Sequence, residues 1–179
     1  MHEVSLPEKI LYSSFDSDWD AFIEAAYDVF KRDFVYSKPI VPNRRVALKK
    51  HPQSLEKEAT FWHLTSEGKK EEDRIPDIRR TECITWIKPI IEGYAASNLR
   101  CWEKIHHTRK GPEKRIMICT ENFDYIVVLA DRTEYLLPWT AYPIQHDSQK
   151  MKYKNEYETF RKGLGPHCSY DPFTPSTTR

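Results

Sequence analysis

In FDSDWDAFIEAAYDVFKRDF the apolar side chains of Trp19, Phe22, Ile23, Ala26, Phe30 and Phe34 recur at helical spacing and paint one face. Asp16 or Ser17 can cap this segment. Asp18 and Asp20 suit its first turn, and Lys31 with Arg32 complements the negative end, so a helix is predicted over 16–35. Pro39 and Pro42 interrupt regular structure, after which RRVALKK from Arg44 reads as a short strand ended by His51 and Pro52. Phe61 to Leu64 reads as another short strand, followed by the loop TSEGKKEEDR. Pro76 suits the first turn of a helix from Asp77 to Trp86, with Ile78, Ile84 and Ile87 on its buried side. Pro89 ends that helix or starts the next element.

The pattern then changes period. CWEKIHH, KRIMICT, DYIVVLA and YLLPWTAYPI are short β-rich runs separated by KGPE, ENFD and DRTE, the signature of an antiparallel meander. From Gln145 the chain is charged, with Tyr153, Tyr157 and Phe160 at helical spacing, so 145–163 is predicted to be a surface helix. An irregular tail follows over 164–179. Helices first and strands afterwards make an α+β fold, with N-terminal helices packed on one face of a four-stranded antiparallel sheet. A chain of 179 residues suits a single domain.

Composition narrows the function. Aromatic residues are abundant at 13% and glycine is scarce, which argues for a packed core over low complexity. The formal charge of +1 gives no global attraction to polyanions, so any such site must be a local patch. Cys83, Cys101, Cys119 and Cys168 form no C-x-x-C pair, which favours reduced thiols and suggests no zinc knuckle. The N-terminus lacks a basic region followed by an apolar one, and no run approaches about 20 apolar residues, so a cytoplasmic location is expected.

The richest chemistry lies in FWHLTSEGKKEEDRIPDIRR, which joins His63 to Arg79 and Arg80, and in RCWEKIHHTRKGPEKR, where six Lys or Arg face two Glu. The first block, with RIPDIRRTECITWIKPII, the tryptophan Trp102 before a basic turn and DYIVVLADRTEYLLPWTAYPI, resembles the barnase/EndoU/colicin/RelE-like (BECR) ribonucleases associated with phages and toxins. The resemblance runs from about Trp19 to Ile144. It implies a nuclease-like core over 58–144 and RNA cleavage without a metal or other cofactor. It also implies a site drawn from His63, Arg79, Arg80, Thr140 and Tyr142, and RNA as the partner, with a cognate antitoxin or immunity protein as a further one.

The residue types suit that chemistry. In metal-free RNA cleavage a 2′-hydroxyl loses a proton as it attacks phosphorus, the phosphorane needs positive charge, and the leaving 5′-oxygen needs a proton. Histidine suits the proton step and arginine the phosphate oxygens. Thr140 and Tyr142, two apart on a predicted strand, share one face. Adjacent positions on a helix diverge by about 100°, so at most one of Arg79 and Arg80 faces such a site. Arg115, opening a strand, joins the catalytic candidates. Trp102, Lys104, His106, Arg109, Lys110 and Lys114 read as an RNA groove in which Trp102 stacks on a base. His106 and His107 are adjacent, with no metal-binding spacing.

Each residue also has a plainer reading. His63 can be an internal histidine hydrogen-bonded to a carbonyl, and Arg79 and Arg80 can pair with Glu71, Glu72 or Glu82. Thr140 and Tyr142 can be sheet packing, and the basic segment a solvated hairpin. A non-catalytic RNA- or protein-binding module on the same fold is therefore the alternative to an endoribonuclease.

Overall fold

The structure is a computed structural model and describes residues 2–68, 70, 73–109, 111–165 and 170–173. After a single 3₁₀ turn at Tyr12–Phe15, helix α1 spans Trp19–Phe30 and continues as a widened π turn over Lys31–Tyr36. Asp18 is the cap, its carboxylate accepting from the Ala21 N–H at 3.0 Å, so the helix starts later than the sequence suggests and neither Asp16 nor Ser17 caps it. The predicted strand from Arg44 shrinks to β1, Arg45–Val46.

Phe61 to Leu64, expected to be a strand, belongs to helix α2, Ala59–Thr65, in which all seven residues are buried. A short element enclosed on every side shows no amphipathic period, and an apolar run of that length is ambiguous from sequence. Strands β2 (Ser66–Glu67) and β3 (Ile75–Pro76) form a small antiparallel pair. Gly68 permits this turn. It sits at φ +145°, where a Cβ would stand 2.8 Å from the Asp73 carbonyl oxygen. Pro76 thus lies in a strand and not in a first helical turn. Asp77 caps helix α3 (Ile78–Glu82) by accepting from the Arg80 N–H at 3.1 Å. The chain kinks at Cys83 and resumes as α4, Ile84–Glu92, which passes through Pro89 instead of ending there.

The meander is present as β4 (Leu99–Thr108), β5 (Gly111–Thr120), β6 (Tyr125–Asp131) and β7 (Tyr135–Pro143). Sheet order is β1-β7-β6-β5-β4, with β1 parallel to β7 and the rest antiparallel. The sheet is therefore five-stranded and mixed, not four-stranded and antiparallel, because the Arg45–Val46 segment adds itself to the β7 edge. Helix α5, Asp147–Leu164, completes the fold.

Strand alternation divides the sheet between two cores. Ile116, Ile118, Val127, Leu129, Leu136 and Ala141 face α1 to α4 and join Phe22, Phe30, Phe61, Ile87 and Ile91. Met117, Cys119, Ile126 and Val128 face the other way, where Trp102 and Phe123 meet Tyr153 of α5. Helices thus cover both faces. One face alone was expected to carry the N-terminal helices, and α5 closes the second with its aromatic stripe. No described helix is long and apolar enough to cross a membrane.

Candidate functional site

The site grows from an irregularity in β7. Val128 pairs with Thr140 and Leu129 with Pro138, which leaves Trp139 as an extra residue. A bulge of this kind re-aims side chains. Thr140, opposite Val128, faces the same side as Met117 and Arg115, and the Arg115 guanidinium lies 4.1 Å from the Trp139 ring centre. Trp139 and Thr140 therefore project to one side in succession, together with Tyr142.

Around this edge the structure gathers most of the predicted catalytic residues. Arg80, carried by α3, donates through Nη1 to the Ser66 carbonyl at 2.9 Å and to Thr140 Oγ1 at 3.3 Å, and its guanidinium lies 4.9 Å from the Tyr142 ring centre. Glu67 at 3.7 Å and Asp77 at 3.9 Å flank it. Arg79 is exposed and donates to Gln145 at the rim of the same region. Of the two adjacent arginines, Arg80 is the one held against Thr140 and Tyr142. His63 lies on the enclosed helix α2, only 3% exposed, its ring edge-on to Trp139 with centres 5.0 Å apart. This is the placement of a packing residue that fixes the Trp139 ring, not of an accessible proton carrier.

Arg80 and Tyr142 open onto a cleft of about 390 Å³ shared with Glu67, Asp77, Gln145, His146 and Gln149. His146 went unselected in the sequence because it stands alone between a strand and a charged helix. It becomes significant only when the α5 N-terminus, where it precedes Asp147, is placed beside α3. The Tyr142 hydroxyl is bonded to that of Tyr153 at 2.5 Å. Burial first and this bond second push the Tyr142 hydroxyl far above its ordinary pKa, so it acts as a neutral donor or acceptor and not as a phenolate.

Arg115 is buried at 6% exposure, and burial lowers its pKa while Glu113 works against that. Glu113 forms ion pairs with both Arg115 and the exposed Arg132, whose guanidinium is 5.8 Å from the Trp139 ring centre. Neither Glu113 nor Arg132 stood out in the sequence.

The proposed RNA groove does not hold together. Trp102 is 1% exposed beneath α5, with Tyr153 and Tyr157 centres 6.1 and 6.0 Å away, so no base can stack on it in this arrangement. Lys104 pairs with Glu156 of α5 at 2.5 Å. Lys114 belongs to the opposite face, where it bridges Glu103 at 3.3 Å and Asp131 at 3.2 Å. His106 and Arg109 are exposed at the far end of the hairpin, while Lys110 lies outside the described residues, as do Cys168, Glu71 and Glu72. The basic run failed as a unit because alternation sends successive side chains to opposite faces.

Burial raises the Cys83 thiol to about 11 and the Cys119 thiol to about 12, so neither is primed as a nucleophile. Among the described residues no group of three or more His, Cys, Asp or Glu is arranged to hold a metal ion. Compared with protein-family models, with curated proteins and with solved structures, the chain shows no significant match.

Proposed function

We propose that the protein is an endoribonuclease that cleaves RNA by attack of the internal 2′-hydroxyl, in the cleft between α3, the end of β7 and the start of α5. One observation carries the reading: the Arg80 guanidinium is held against Thr140 and Tyr142 on a rigid strand and opens into a cleft that also contains an exposed histidine. A planar guanidinium fixed at two points is suited to the equatorial oxygens of a phosphorane. The His146 imidazole can take the 2′-hydroxyl proton or supply one to the 5′-oxygen. Thr140 orients Arg80, and His63 holds Trp139 behind it. The resemblance of the HLT, PD-x-RR and T-A-Y-P segments to BECR ribonucleases supports the same assignment, and a toxin or phage association follows from it as part of the proposal.

A second reading is favoured by the two carboxylates beside Arg80. Glu67 and Asp77 already offset part of its charge, as in a structural arginine, and a module that binds RNA or protein without cutting it needs no more than that.

The test is incubation of purified protein with total RNA in EDTA. The nuclease reading expects products ending in 2′,3′-cyclic phosphate or 3′-phosphate. It also expects a loss of about 10²–10³ in rate for Arg80→Ala, the scale of one removed transition-state donor, and a comparable loss for His146→Ala. Products ending in 3′-hydroxyl, or full activity in Arg80→Ala, overturn it. Retained binding without cleavage establishes the second reading.

A further inference from the structure

Arg115 presents the least satisfied charge in the described chain. Its side chain is 8% exposed, yet Nε and Nη1 are buried without any hydrogen-bond partner. Its contacts are the Trp139 ring and, through Nη2, a close ion pair with Glu113 Oε1. The other Glu113 oxygen meets Arg132 Nη1. One carboxylate is thus shared between two guanidinium groups and leaves Nε and Nη1 of Arg115 unpaired. A buried charge with unmet donors is costly unless a better partner is available.

We propose that Arg115 and Arg132 form a phosphate-binding site for single-stranded nucleic acid, and that the Glu113 carboxylate fills this site in the present structure and is displaced by the phosphate. The inference rests on the ribonuclease reading for the nature of the ligand. A tetrahedral phosphate offers more acceptor oxygens than a carboxylate and can meet donors that Glu113 leaves unpaired. The backbone permits the exchange. β6 pairing ends at Arg115 opposite Ala130, so Glu113 is paired only with His106 on β4, two residues from the hairpin end at Gly111. Its side chain can swing out without breaking a β5–β6 bond. Location supports the assignment as well. Arg80 touches Thr140 and Arg115 touches Trp139, so the bulge sets the two guanidinium groups against successive residues of β7.

The test is fluorescence anisotropy with a labelled single-stranded deoxyribo-oligonucleotide, which lacks the 2′-hydroxyl and so reports binding alone. Glu113→Gln keeps the shape and removes the competing charge, and is expected to tighten binding about tenfold. Arg132→Gln, at an exposed position, is expected to weaken binding about tenfold and to flatten the salt dependence by one phosphate contact. Circular dichroism checks the fold of each variant, and Arg132→Lys, which keeps the charge, should fall between Arg132→Gln and wild type.

Unchanged affinity and salt slope in both Glu113→Gln and Arg132→Gln overturn the inference. If RNA cleavage proves absent while Glu113→Gln still tightens oligonucleotide binding, the nuclease reading falls and this site stands. If Arg80 variants lose cleavage while these two variants leave binding unchanged, the reverse holds.

Discussion

Thr140 offers a single oxygen to Arg80, at 3.3 Å, and with the Ser66 carbonyl it fixes Nη1. Thr140→Val keeps the branched shape and removes the acceptor. Under the nuclease reading it should lower the rate by about tenfold to a hundredfold, less than loss of Arg80 itself, because Ser66 still holds Nη1. Stability should fall by only about 1 kcal/mol, the net worth of one hydrogen bond. Tyr142→Phe differs in kind, since it strands the Tyr153 hydroxyl and should cost about 1–3 kcal/mol as well as rate. Chemical denaturation beside single-turnover kinetics separates the two. Wild-type turnover in Thr140→Val would make the residue sheet packing only. The pairing of Thr140 with Tyr142 on one strand face was readable from their spacing. The choice of Arg80 over Arg79 was not, because it depends on where α3 lies against β7.

Among the elements, α5 and the β7 bulge show what periodicity can and cannot reveal. The stripe of Tyr153, Tyr157 and Phe160 marks α5 correctly as an amphipathic helix, and only Tyr153 of the helix is fully buried. Its hold on the sheet is therefore narrow: Tyr153 contacts Trp102 and Tyr142, Tyr157 contacts Trp102 and Phe123, and rim ion pairs run from Lys104 to Glu156 and from Lys150 to Asp124. Exposed pairs of this type contribute little. Tyr153→Ala should thus release α5 locally while the helix-covered core persists. Hydrogen exchange should speed up in the α5 amides well before it does in β5 and β6, and equal protection across both would show that α5 is held by more than its aromatic contact. Pro138 inside a β-rich run fits an edge strand or a bulge without telling which. The extra residue is visible only against the register of β6.

Across the whole molecule, the Asp131 network ties distant segments together. Arg44, just before β1, meets Asp131 at 2.6 and 3.3 Å; Lys114 of β5 joins it, and through Glu103 of β4 the chain of contacts reaches the Tyr170 hydroxyl at 3.1 Å. Burial works to raise the Asp131 pKa, but bonds from Arg44, the Thr133 N–H and Lys114 outweigh it and hold the carboxyl below its ordinary value. A carboxyl depressed in the folded state stabilises fully above its unfolded pKa of about 3.9, and that contribution disappears as pH falls through the folded value. Asp131→Asn should therefore cost about 1.5–3 kcal/mol near neutral pH, because Arg44 loses its carboxylate while Lys114 keeps Glu103, and the gap to wild type should narrow as pH falls below about 4. Urea midpoints measured across that range check it, and a gap that stays constant with pH would remove Asp131 from the account. By itself the sequence determined the first helix, the four-stranded meander and the aromatic stripe of the last helix, because each is a local repeat of apolar positions whose period matches its own backbone geometry. Only the tertiary structure decided that Arg45–Val46 extends the sheet, that α2 is a buried helix, that Trp102 is sealed under α5, and that Arg80, His146, Glu113 and Arg132 stand where they do. Those outcomes depend on contacts between residues far apart in the chain, which leave no period in the sequence.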